Sequence, residues 1–120
     1  AFEPKPVQPG GPPVHVGGDG LPALRRTARF GAGWIPMNHT LEQIPGSLQR
    51  LSELWDEHGR SGRPEVTTAA PADTPDDLQR AGDAGIDRLI VMPWRRTREA
   101  LDGIARFADD VLAPAADRVG

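Results

Sequence analysis

One pattern constrains this chain more than any other: a short apolar or β-branched run, a turn rich in glycine or proline, then a segment with helical spacing, four times over. Val14-His15-Val16 stops on glycines and leads into LPALRRTARFG, where Leu21, Leu24 and Ala28 share a face and Gly31 or Gly33 supplies the stop. Gly33-Trp34-Ile35-Pro36-Met37 precedes TLEQIPGSLQRLSELWDEHG, with Leu48, Leu51, Leu54 and Trp55 at helical intervals. Pro45 suits the first turn of that helix and Gly59 its end. Glu65 to Ala69 reads as the third strand, and Thr74-Pro75-Asp76-Asp77 opens the third helix with a cap and acids at the positive end of the dipole. Ile86 to Met92 is apolar enough for a strand buried on both faces. Thr97 stands where it would cap TREALDGIARFADDVLAP, whose stripe is Leu101, Ile104, Phe107, Ala108 and Val111.

Strand alternating with helix predicts an α/β fold with parallel strands and outer helices. Four βα units are half of a TIM-type (βα)8 barrel, or else a small open sheet, and neither closes comfortably alone. Exposed parallel edges invite pairing. The expected partner is a second copy in a two-fold dimer or a complementary half-barrel chain. Residues 1–13, AFEPKPVQPGGPP, hold five prolines and read as an extended arm or linker, leaving 14–120 as the half-barrel.

The net charge of −3 argues against nucleic acid or an anionic membrane surface as the main partner. Cysteine is absent, so disulfides and thiolate metal sites are excluded, which fits a cytoplasmic protein. No apolar run is long enough to span a bilayer, and the polar, proline-rich start does not have the pattern of a signal peptide. No His, Asp and Glu grouping has metal-ligand spacing, and no serine sits in a nucleophile elbow.

The stretch PPVHVGGDG raises the functional question. Gly17 and Gly18 lack Cβ, so their amides can approach an anionic oxygen, and the helix that follows adds free N–H groups and a positive dipole. The same glycines equally serve a sharp strand-to-helix turn. At the end of the fourth strand, Arg95 and Arg96 precede a helix and either clamp phosphate with its dipole or pair with acids such as Glu99 or Asp102. Trp94 either stacks on a ring system or packs at a barrel rim. Alternation along the first strand points His15 inward, as a packed interior histidine more readily than as a base. His39, beside Asn38 past the second strand, contacts substrate, caps the next segment or is simply solvated. His58 lies near a helix end, and Arg25, Arg26 and Arg29 form a solvated helix face.

The run PKPVQPGGPPVHVGGDGLPALRRTARFGAGWIPM resembles the C-terminal region of the luciferase-like monooxygenase family, particularly its members that use the deazaflavin F420. The proline-rich entry into a strand ending Val-Gly-Gly, the Ala-Leu-Arg-Arg-x-Ala-Arg helix and Gly-x-Gly-Trp-Ile-Pro carry the likeness, and Gly85 to Val91 is similar to the family's closing strand. Members are eight-stranded βα barrels, so the resemblance implies strands five to eight of such a barrel. It implies part of an oxidoreductase whose cofactor is F420 or FMN, with F420 slightly favoured; the alternative is a non-catalytic half-barrel that binds a phosphorylated ligand or serves as an assembly subunit. It also implies that Gly17, Gly18, Asp19 and Gly20, with Arg95 and Arg96, help hold the cofactor phosphate, while His15, His39 and Trp94 are candidates for ring or substrate contact. Asp19 sits awkwardly in that role, because its carboxylate beside an anion is unfavourable unless it turns away or meets a cation.

Overall fold

A computed structural model describes residues 12–119. The expected arm at 1–13 therefore lies, up to residue 11, outside the described residues; Pro12 and Pro13 are exposed. The alternation holds throughout. Four parallel strands, β1 (His15–Gly17), β2 (Gly33–Ile35), β3 (Glu65–Ala69) and β4 (Arg88–Ile90), lie side by side in chain order. The helices α1 (Leu21–Phe30), α2 (Ile44–Glu57), α3 (Pro75–Asp83) and α4 (Ala100–Phe107) follow them in turn. This is a partial TIM-type barrel.

Register explains which side chains go where. His15 pairs with Gly33 and Gly33 with Glu65, while Val16 pairs with Trp34 and Trp34 with Val66. Side chains alternate across a sheet, so these are two opposite faces. Val16, Trp34 and Val66 are buried under the helices with Leu24, Ala28, Ile44, Leu51 and Leu54. His15 and Glu65 lie on the other face, with Arg88 within 3.9 Å of Glu65.

Local chemistry sets the helix ends. Thr74 and Asp77 form a reciprocal capping box at α3, with Pro75 in its first turn. Pro45 opens α2, and Gly59 follows its end at φ 67°. Gly31 closes α1 differently from a left-handed stop: its φ is −80°, and the need for glycine comes from crowding by Thr27 and Val16. Arg60 reaches back to the carbonyls of Thr27 and Ala28, at 3.1 and 3.2 Å, and its guanidinium lies 3.7 Å from the centre of the Trp55 ring. It adds a second donor to the Thr27 carbonyl, which already accepts from the Gly31 amide, supplies one to that of Ala28, and covers an aromatic face at once.

Three expectations need correction at the C-terminal side. The fourth strand is not buried on both faces: it is shorter than 86–92, Ile90 is 50% exposed and Met92 72%, because no strand pairs with its outer edge among the described residues. Thr97 does not cap a helix with its side chain; residues 97–99 form a tight 3₁₀ turn after Arg96, and α4 starts only at Ala100. Finally, the apolar stripe is mostly uncovered. Val111 is buried, but Leu101 is 83% exposed and Ile104 about half. The helix continues through a wider turn at Ala108–Leu112 into α5 (Ala113–Val119). Gly103 lets α4 lie against the chain after β4: a Cβ there would be 2.2 Å from the Pro93 carbonyl oxygen. Among the described residues, no helix is long and apolar enough to cross a membrane.

Candidate functional site

The C-terminal ends of the strands bring together the loops that follow β1 and β2. Gly18 donates its amide to the Ile35 carbonyl at 3.1 Å, and its own carbonyl accepts from the Trp34 indole at 2.8 Å. Its φ is +132°, and a Cβ would sit 2.8 Å from that of Ala23. The fold therefore requires glycine at 18. Gly17 is different. It is exposed at the strand end, and a Cβ there would meet nothing closer than the Met37 sulfur at 3.8 Å.

Asp19 turns away from this open edge toward the next loop. One carboxylate oxygen accepts from the amides of Met37 and Asn38, both at 2.9 Å, and lies 2.5 Å from Nδ1 of His39. The amide hydrogen bond from Asn38, joined by those of His39 and Met37, holds the Asp19 carboxyl below its ordinary range despite partial burial. The imidazole's other nitrogen is 2.8 Å from the Ser47 hydroxyl, and Trp34 meets the ring edge-on with centroids 5.1 Å apart. The conflict seen for Asp19 in the sequence is resolved by geometry: its charge is engaged by donors of the following loop.

Arg95 and Trp94 line an open cleft of about 490 Å³ beside the end of β4, with Asp73, Glu99, Arg106 and Asp110 among its walls. Neither Arg95 nor Arg96 makes an ion pair among the described residues, so pairing with Glu99 or Asp102 is not what fixes them. The structure does not bring these arginines to the glycine loop. β1 and β4 are the outermost strands, and three strand spacings of about 4.8 Å put them about 14 Å apart. A ligand held by both ends would have to be extended.

His15 stands at the start of β1, about 7 Å below Gly17 along the strand. Its ring lies over Gly33, where a Cβ would be 2.3 Å from Nδ1, and its Nε2 is 3.8 Å from Glu65. It is at the opposite end of the strand from the loops.

The model of the luciferase-like monooxygenases matches residues 1–114. The chain belongs to the luciferase-like monooxygenase family. It is 32% identical over 107 residues to the uncharacterized proteins Mb0978c of Mycobacterium bovis and Rv0953c of Mycobacterium tuberculosis. The match covers 88% of this chain and 37% of each relative, so this luciferase-like chain spans little more than a third of their length. The family is built on the TIM barrel and generally binds flavin or F420 cofactors. Sequence reading alone missed Ser47 and the bonds that tie Asp19 to residues 37–39. The available signal was positional: in successive parallel βα units, the first polar residue of one loop lies beside the loop of the next strand.

Proposed function

We propose that this luciferase-like chain supplies the cofactor-phosphate-binding half of an oxidoreductase barrel, and that the loop 17–20 after β1 receives the phosphate. The observation that carries the reading is Gly17. The fold explains the glycine at 18 but does not require one at 17, where a Cβ would meet only the Met37 sulfur and the Ile35 carbonyl oxygen, at 3.8 and 3.9 Å, in ordinary contact. A bare backbone there suits the close approach of an anionic oxygen, and α1, which starts three residues after Gly18, turns the positive end of its dipole to the loop. Asp19, bonded away toward Asn38 and His39, holds the loop rather than opposing the anion.

The bound ring, F420 in preference to FMN, would supply the hydride or oxygen chemistry, and the protein's share is to bind, orient and exclude water. Gly17 and Gly20 offer backbone contacts while Gly18 holds the turn, Arg95 and Arg96 offer a second anionic or substrate contact across the sheet, and Trp94 an aromatic surface in the cleft. Residues that finish the pocket come from a second copy or a complementary half-barrel docked on the open strand edges. The exposed Ile90, Met92 and Leu101 support such a contact.

The test is titration of FMN and of F420 into the wild-type protein and Gly17→Val, with inorganic phosphate as competitor. The reading expects phosphate to compete and Gly17→Val to weaken binding at least tenfold while its melting temperature holds. Unchanged affinity in a folded Gly17→Val returns the motif to the status of a turn.

A further inference from the structure

The cluster of Asp19, His39 and Ser47 has more order than a contact between loops needs. Two backbone amides on Asp19 already join the loop after β1 to the loop after β2. Yet the imidazole is also placed with Nδ1 on the carboxylate at 2.5 Å and Nε2 on the serine hydroxyl at 2.8 Å. A carboxylate at Nδ1 selects the tautomer with its hydrogen there, which leaves Nε2 as an acceptor facing Oγ–H. The ring is held by the edge of Trp34, and its side chain is only 10% exposed.

Ser47 lies beside an exposed, uncrowded stretch of backbone. It is half-buried and follows Gly46, where a Cβ would meet nothing within 4 Å. It stands at the beginning of α2, which starts at Ile44. The amides of Ile44 and Gly46 in this first turn have no acceptor within the helix, and such donors stabilise a developing oxyanion.

We propose that Ser47 is a nucleophile, with His39 as its general base and Asp19 orienting the imidazole, that takes acyl groups from activated carboxylic esters. Ser47 Oγ bonds to the acyl carbon as its proton passes to Nε2 of His39. The bond from that carbon to the leaving oxygen breaks, and the departing alkoxide takes the proton from Nε2. Water, deprotonated by the same nitrogen, then attacks the acyl-serine; the carboxylic acid leaves and Oγ recovers a proton. No redox cofactor takes part, so this activity stands or falls separately from the cofactor reading.

The experiment incubates the purified chain with diisopropyl fluorophosphate and reads intact mass and peptide maps, with p-nitrophenyl acetate hydrolysis followed in parallel. Circular dichroism checks the fold of each variant. One adduct per chain is expected, placed on Ser47, absent from Ser47→Ala and formed roughly a hundredfold more slowly by His39→Gln. Ester hydrolysis falls with it. Should His39→Gln fail to fold, Asp19→Asn decides instead: it must slow labelling of Ser47 by about tenfold or more. No adduct on Ser47 in the folded wild type, an unchanged hydrolysis rate in Ser47→Ala, or unchanged labelling in whichever of the His39 and Asp19 variants folds overturns the proposal.

Discussion

Alanine at position 18 puts the account of the glycine loop under the most direct structural load. Gly18 has φ +132°, a conformation that side chains other than glycine's rarely adopt, and holding alanine there costs about 1–3 kcal/mol. The new Cβ would also stand 2.8 Å from the Cβ of Ala23, on the first turn of α1. Relieving that overlap by moving the helix costs about another 1–3 kcal/mol. The sum is about 2–6 kcal/mol. For a domain of this size each kcal/mol lowers the midpoint by about 4–8 °C, so Gly18→Ala should melt at least about 8 °C below the wild type. Gly17→Ala is the matched control: its Cβ would stand 3.8 Å from Met37 in ordinary contact, and its stability should stay within about 0.5 kcal/mol. Thermal unfolding followed by circular dichroism measures both. Equal melting temperatures for the two variants would refute the assignment of one glycine to the fold and the other to a ligand.

Two further outcomes follow from contacts away from that loop. Arg60→Ala removes the bonds to Thr27 and Ala28 and the contact with the Trp55 ring, and urea unfolding should show a loss of about 1–2 kcal/mol with an unchanged m-value. The carboxyl of Asp87 is held low by the hydrogen bond from Arg63, and that of Asp19 by the amide of Asn38. Both carboxylates thus contribute stability that is complete above the unfolded value of about 3.9 and fades as pH falls through their lower folded values. Asp19→Asn and Asp87→Asn should each flatten that acid limb, and a limb as steep as the wild type's would show that the carboxylate does not shape it.

Much of the fold was legible because each βα unit writes its own local signals. The capping box at Thr74 and Asp77, the prolines opening α2 and α3 and the left-handed Gly59 all stand within a few residues of what they control. The fourth strand and the last helix were misread for the opposite reason. The apolar character of Ile90, Met92 and Leu101 predicts burial, but hydrophobicity does not say whether the covering surface belongs to the same chain. Thr97 has the right type for a cap, yet the tight turn at 97–99 moves the helix start beyond its reach. At the site, the glycines were visible as a motif, but their division of labour depends on Ala23 and Met37, which only the packing brings near. Asp19 and His39 lie 20 residues apart, and no spacing rule within one unit joins them.

Native mass spectrometry of the purified chain, without and with added FMN or F420, tests the central claim most directly. A cofactor-binding half-barrel predicts an assembly of at least two chains, its own copies or a complementary partner, that retains the cofactor's mass after gentle desolvation. A bare monomer that binds neither cofactor would contradict it.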